Sequence, residues 1–397
     1  LTMEGKESTP MHMIERGIDG ASLRLVQGPL VGAVVRQFSA SRTVFSGDGR
    51  LLACILEDGV DIYDISKHSL VRTIPTPGTV AVHFSAAASY MVVYQKANFS
   101  GAGDGKNLTV WKISSGRVIF SCFQKIFNKN DWPTFQFTSD ETVACRVVTN
   151  EVHFFRLSDL NPQPKRLRIP NVFSIKVSPG HLSKVIAFVP ELKGLPGNVQ
   201  LYDHPSFQVE GIFETEPLAR KSFFRVQEVE FKWADDGAAV LIHGSSEIDA
   251  TNQSYYGESS LHFMRANGSL DCKVQFSLIG LFVSKFLSLC LQVPLDKEGP
   301  VHEAAWSPRN DEFVVVYGFM PAKATIFSSD KCEPRYQLGT GPYNTVRWNP
   351  FGRFVCLAGF GNLPGDVVFF DRKADGKYKV IGSTRASCSV SSTRLHI

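Results

Sequence analysis

No metal or nucleophile motif runs through these 397 residues: there is no Cys-x-x-Cys, no His-Glu-x-x-His and no Gly-x-Ser-x-Gly. The first two absences remove common zinc spacings, and the third removes a serine nucleophile poised on a strand-to-helix turn. Charge of one sign is scarce too, since 42 Lys and Arg face 38 Asp and Glu for a formal net charge of +4. Total charge that small does not imply nucleic acid as partner; only a local basic patch can carry such a reading. The start, LTMEGKESTPMHMIERG, has no apolar core segment, so no signal peptide is expected. The eight cysteines are Cys54, Cys122, Cys145, Cys272, Cys290, Cys332, Cys356 and Cys388. Most lie in apolar runs such as LLACIL, TVACRVV and FVCLAGF, which predicts buried, reduced thiols in a cytoplasmic protein. In such a compartment the glycosylation sequons at Asn98, Asn107, Asn252 and Asn267 carry no meaning.

What is present is repetition. The chain is 43% hydrophobic and 20% charged, a globular composition. It is longer than the roughly 250–300 residues at which one core stops growing, a limit that stacked repeats avoid. Seven times an aromatic residue or Val precedes Ser, Thr, Asn or an Ala-Asp turn: Phe45-Ser46, Phe84-Ser85, Phe137-Thr138, Val177-Ser178, Trp233-Ala234, Trp306-Ser307 and Trp348-Asn349. After each come a turn, an apolar run and a run of alternating apolar and polar residues. In the first unit, 45–65, Gly47-Asp48-Gly49 makes the turn and LLACI is a strand covered on both faces. In the same unit Val60, Ile62 and Ile65 alternate with Asp61 and Asp64.

The anchors are spaced by 39, 53, 40, 56, 73 and 42 residues. The short spacings match the roughly 40–45 residues of a four-stranded propeller blade. The long ones need insertions, and NFSGAGDGKN, VPELKGLPGN and HGSSEIDATNQSYYGESS have hairpin-loop composition. The fold expected is all-β: a β-propeller of WD40-like four-stranded blades, about seven of them, with the ring incomplete. It would occupy 21–373, after a flexible segment 1–20 and before an irregular tail 374–397.

Other motifs dissolve on inspection. GAGDGK (101–106) lacks the first glycine and the final Ser or Thr of a phosphate loop, and it precedes the strand-like LTVWKI, so no helix N-terminus faces a phosphate. His153 and His262 stand at equivalent positions of two repeats, which suits a structural role better than a metal. Basic clusters are the best candidates for function. Lys165, Arg166 and Arg168 lie close together, and Arg220, Lys221 and Arg225 flank Phe223 and Phe224. Phosphate-binding charge beside stacking rings suits single-stranded or loop RNA; the alternative is a solvated face with both rings in the core. Tyr255 and Tyr256 are further stacking candidates, and Lys323 lies in a turn between two strands.

Five segments carry a family resemblance: NEVHFF, KSFF, SYYGESSLHF, VYGFMPAKATIF and GTGPYNTVRWNPFGRFVCLAGFGNLPGDVVFFD. Through them the chain resembles the eukaryotic translation initiation factor 2A family over about residues 39–371. The resemblance implies a propeller of roughly nine blades, above the usual size range, followed by a basic C-terminal extension. It implies a factor that brings initiator methionyl-tRNA to the 40S ribosomal subunit on selected mRNAs, without GTP hydrolysis. With no catalytic or metal motif in the sequence, the chain is further expected to be a monomer with no cofactor, metal, membrane contact or catalytic residue. A generic protein-binding scaffold propeller is the other reading kept open.

Two departures from the family pattern matter. Between Lys273 and Val293 stands VQFSLIGLFVSKFLSLCLQ (274–292), where the family would run almost directly. Val codons begin with GT and one Gln codon is CAG, the bases of intron edges, so the segment reads as translated intron or an alternative splice product. It is apolar, but Lys285 near its centre and flanking strand repeats argue against a membrane span. The second departure is the tail, where RKADGKYKVIGSTRASCSVSSTRLHI loses the strand pattern.

Overall fold

The structure, a computed structural model, describes residues 11–17, 20–27, 30–40, 42–96, 105–158, 164–180, 183–192, 194–203, 216–246, 258–267 and 290–385. Every regular element among these residues is a β-strand. They form eight antiparallel sheets in chain order, here numbered 1 to 8, each a simple up-and-down succession of neighbours. Sheet 1 (11–38) has three strands, and sheets 2 to 8 (42–74, 79–122, 136–168, 174–223, 228–292, 301–341 and 345–385) have four each. By contact the chain divides into two compact units: Leu1–Arg146 with Phe154–Pro164, and Val147–His153 with Lys165–Ile397. Sheets 1 to 3 belong to the first and sheets 5 to 8 to the second, with the division inside sheet 4.

The seven anchors of the repeat are the last residues of the first strands of sheets 2 to 8. The residue after each anchor donates its backbone N–H to the residue that opens the second strand. The pairs are Ser46–Leu51, Ser85–Tyr90, Thr138–Val143, Ser178–Lys184, Ala234–Ala239, Ser307–Glu312 and Asn349–Phe354, all at 2.8–3.0 Å. Hydroxyls fit here because they also close the turn: Ser46 Oγ donates to Asp48 Oδ1 and Thr138 Oγ1 to Asp140 Oδ1, both at 2.5 Å. At Gly237 the turn needs glycine, since φ is +71° and a Cβ would lie 2.0 Å from the Pro179 carbonyl oxygen.

Burial falls from the middle of each sheet to its last strand. Second strands such as Leu51–Ile55 and Glu312–Tyr317 are buried throughout, on both faces, as their unbroken apolar runs require. Last strands such as Ser69–Ile74 and Tyr378–Arg385 are mostly exposed. The core is not one mass but a set of clusters, most of them at a junction of two neighbouring sheets. One joins sheets 5 and 6 around Ile186, Phe223, Val240 and Met264, and another joins sheets 6 and 7 around Leu241, Phe263, Phe313 and Phe327. First strands of the second unit are also bonded to one another. Trp306 Nε1 donates to the Lys232 carbonyl at 2.7 Å, and Arg347 Nη1 meets Glu303 Oε1 at 2.6 Å.

Three expectations need correction. The sheets number eight and not about seven, because Met11–Gly17, Gly20–Gln27 and Leu30–Phe38 form sheet 1, partly within the stretch expected to be flexible. Its strands lack the aromatic-Ser anchor, so the repeat does not reveal them. The tail does not lose the strand at Asp371: Tyr378–Arg385 pairs from Arg372↔Tyr378 to Asp366↔Arg385. Of its side chains only Tyr378 is buried, so backbone pairing holds a strand with little apolar pattern. The end of the inserted stretch is also regular, since Cys290–Gln292 is the last strand of sheet 6, paired Met264↔Cys290 and His262↔Gln292. The rest of that stretch, with Lys285, lies outside the described residues. Cys54, Cys145 and Cys356 are buried free thiols and Cys122 is a half-buried one, while Cys290 and Cys332 are buried. Cys272 and Cys388 lie outside the described residues.

Candidate nucleic-acid interface

A strand turns successive side chains to opposite faces, and this separates residues that look alike in sequence. Ala219–Phe223, the last strand of sheet 5, pairs with Gly197–Asp203 through Lys221↔Val199 and Gly197↔Phe223. Phe223 faces the junction with sheet 6 and is 5% exposed, whereas Phe224, one residue past the strand, is 77% exposed. Arg225 follows with φ at +60°. Its backbone N–H donates to Glu191 Oε2 at 3.1 Å, which ties this turn to the connection 190–196 within the same sheet. That connection exposes Leu192 and Leu195, which pair with each other through their backbones. One corner therefore presents an aromatic face, two Leu side chains and the exposed Arg225, while Arg220 is exposed further back along the strand, opposite Gln200.

Lys221 belongs elsewhere. It is half-buried, and its positive charge bears on His262 and Cys290. His262 is buried with its ring edge-on to Phe223, centroids 5.0 Å apart. Burial, and then Lys221, bring its pKa down to about 4, so this imidazole is neutral. Burial pushes the Cys290 thiol up to about 12. Lys221 and Phe223 thus lie inward, away from a solvent-borne strand of RNA, against the expectation that both would be offered to it.

The same alternation divides the first basic cluster. In Lys165–Arg168, the last strand of sheet 4, Arg166 and Arg168 are exposed while Lys165 and Leu167 are buried. Lys323, at the start of Ala322–Ser328, donates to Asp296 Oδ2 at 2.5 Å, and its side chain is only 16% exposed. Its charge is already answered. Tyr255 and Tyr256 lie outside the described residues. The structure therefore brings Phe224 and Arg225 to one corner, leaves Arg220 exposed further back along the strand, sets Arg166 and Arg168 on another strand, and withdraws Lys165, Lys221, Phe223 and Lys323.

The sequence reading missed a second surface. The connection 123–135 between sheets 3 and 4 exposes Phe123, Lys125, Ile126 and Lys129. Its sequence, FQKIFNKNDWPTF, has the same interleaving of lysine and aromatic residues that singled out RKSFFR. Among the described residues no group of His, Cys, Asp and Glu is arranged to hold a metal ion. No described helix is long and apolar enough to cross a membrane.

With this geometry in place, comparison with known proteins is informative. The family model described as "Eukaryotic translation initiation factor eIF2A" matches residues 221–286 and 282–393, two stretches that meet inside the apolar segment. Eukaryotic translation initiation factor 2A of Schizosaccharomyces pombe is 32% identical over 352 residues, 88% of this chain and 56% of that protein. The factor of the same name from Dictyostelium discoideum is 30% identical over 349 residues, 87% of this chain and 52% of that protein. A solved structure described as that of the eukaryotic initiation factor superposes with a TM-score of 0.74 at 28% identity, covering 95% of this chain and 85% of that one. The chain spans about half the length of the curated relatives it matches. The sheets are blades of a β-propeller, and the chain belongs to the eukaryotic translation initiation factor 2A family.

Proposed function

We propose that this chain is the propeller part of a translation initiation factor that works as a docking platform, without chemistry of its own. In this reading it holds RNA of the 40S subunit or of initiator methionyl-tRNA through side chains at sheet corners, on selected mRNAs and without GTP hydrolysis. The observation that carries it is the pair Phe224 and Arg225, a ring 77% exposed beside an exposed guanidinium. An aromatic face stacks on any unpaired base, and a neighbouring cation meets its phosphate. Family membership supplies the context.

The test is sedimentation of the chain with purified 40S subunits at near-physiological salt. Cosedimentation that Phe224→Ala with Arg225→Glu abolishes, at unchanged melting temperature, supports the reading. No cosedimentation by the unaltered chain, or none of the loss, ends it. The scaffold reading draws on Leu192 and Leu195, which make the same corner apolar. It is favoured if Leu195→Asp, and not Arg225→Glu, releases the subunit.

A further inference from the structure

The connection 123–135 runs from Arg117–Cys122, the last strand of sheet 3, to Gln136–Phe137 in sheet 4, and all of it lies in the first unit. It has a small core of its own. Phe127 stacks on Tyr94 with centroids 4.7 Å apart, and Trp132 meets the two rings at 5.6 and 6.3 Å. Asn107 pins the start of the connection, donating from Nδ2 to the Gln124 carbonyl at 3.0 Å and accepting the Gln124 N–H at 2.7 Å. Gln124 Nε2 in turn donates to the Ile126 carbonyl at 3.1 Å. What this backbone displays is therefore held in place and not a loose end.

It displays apolar groups and positive charge together. Phe123 is 53% and Ile126 69% exposed. Lys125 and Lys129 are exposed, and neither stands in an ion pair among the described residues. Arg146 lies behind them, half-buried, over the ring of Phe120. One guanidinium nitrogen donates to the Cys122 thiol, another to Gln124 Oε1 at 3.1 Å, and Nε is buried without a partner. A half-buried guanidinium ordinarily meets a carboxylate, and none among the described residues pairs with this one. The acid of the connection, Asp131, accepts from Asn128 Nδ2 at 2.7 Å. An apolar patch alone would suit a peptide as well as a base. Three cations without a matching anion among the described residues select a polyanion.

We propose that the connection 123–135 is a docking surface for a short single-stranded stretch of RNA, distinct in its residues from the turn at Phe224. Lys125 and Lys129 meet phosphates, Arg146 adds charge from behind, and Phe123 with Ile126 takes the face of a base. The inference rests on the reading that this chain meets RNA, but it names different residues.

The experiment uses the whole chain and a fluorescein-labelled uridine oligonucleotide of about 12 nucleotides, with anisotropy measured between about 50 and 200 mM salt. Lys125→Glu with Lys129→Glu is expected to weaken binding about ten-fold or more and to lower the slope of log affinity on log salt by about 1.4, at about 0.7 per lost phosphate contact. Phe123→Ala should weaken binding about five-fold or more with the slope unchanged. Melting curves check the fold, and Lys125→Gln with Lys129→Gln replaces the reversal if it does not fold. No binding by the unaltered chain at low salt overturns the inference. So does unaltered affinity in both variants, and so does loss with Phe123→Ala alone, which would leave stacking without the phosphate contacts of Lys125 and Lys129. A chain that cosediments with 40S subunits while ignoring the lysine reversal sinks this inference and leaves the proposed function standing.

Discussion

Two connections in this chain perform the same topological task and expose aromatic residues in different settings. The turn 224–227 joins sheet 5 to sheet 6, and 123–135 joins sheet 3 to sheet 4. In the short turn Phe223 is inside, and Phe224, just past the strand, is outside where the chain bends at Arg225. In the long one the chain has room to bury rings, and it does so with Phe127 and Phe135, yet Phe123 and Ile126 stay out. Exposure beside a buried neighbour takes its meaning from what stands next to it, here the exposed Arg225. Exposure that persists where burial was available is the stronger sign of a partner.

The largest effect that could break this contrast is on stability. Phe223→Ala should cost about 3–5 kcal/mol, because it empties the junction of sheets 5 and 6, and Phe135→Ala should cost about the same in the first unit. Phe224→Ala and Phe123→Ala should stay within about 0.5 kcal/mol. Urea titration of the four variants measures this. A costly Phe123→Ala would mean that its ring is packed in solution, and the surface would lose its aromatic face.

The next effect is one of pH and sharpens the claim that the side beneath Phe224 is dry. His262 has Nδ1 buried without a partner and a pKa lowered from 6.5 to about 4 by burial and then Lys221. The unfolded chain takes up this proton near pH 6.5 and the folded chain only near pH 4. Stability from this group is complete above pH 6.5 and falls as pH drops towards 4, by roughly 3 kcal/mol over the window. His262→Phe should flatten the melting temperature over that range. An unchanged pH profile would place water or an anion beside His262.

A third connection, from the third to the last strand of sheet 6, gives a smaller effect. Deleting 274–292 joins Lys273 to Val293, which is 2% exposed and donates its N–H to the Leu261 carbonyl at 2.9 Å. Lys273, Cys272 and Asp271 then inherit the places of Gln292, Leu291 and Cys290, with Asp271 near the charge of Lys221. The shortened chain should still melt cooperatively but lose about 1–3 kcal/mol, because the Asp271 carboxylate takes the buried place of Cys290 with only the charge of Lys221 to answer it. Loss of a cooperative melt would show that the segment is integral to the sheet.

These cases also mark how far the sequence could be read. Seven sheets were legible because each first strand ends on an anchor that the turn chemistry requires. Sheet 1 and the strand Tyr378–Arg385 were not, since the one lacks the anchor and the other buries a single side chain. The corner at Phe224 was legible as a cluster, but which ring and which cation faced outward depended on register. Lys221 and Arg220 are neighbours in sequence and lie on opposite sides of one strand. The connection 123–135 carried the same lysine-aromatic signal, but Arg146, which completes it, comes from the next sheet and is adjacent only after folding.

The smallest effect expected is at Lys323, the candidate whose charge is already matched. Its Nζ lies 2.5 Å from Asp296 Oδ2, and Asp296 Oδ1 accepts from the Tyr317 hydroxyl at 2.7 Å. The hydrogen bonds from Lys323 and then Tyr317 hold the Asp296 carboxyl below its ordinary value, so their contribution is present above that value and is lost as pH falls through the lowered one. Asp296 is 64% exposed, which keeps the pair within about 1 kcal/mol. Lys323→Ala should therefore lower stability by no more than that and leave both the affinity for the uridine oligonucleotide and its salt slope where they were. Lys125 and Lys129 are lysines of the same chain without an ion-pair partner among the described residues, and their reversal is expected to change both. If Lys323→Ala weakens RNA binding as much as that reversal does, the presence of a partner carboxylate is the wrong criterion for which lysines of this propeller meet phosphate.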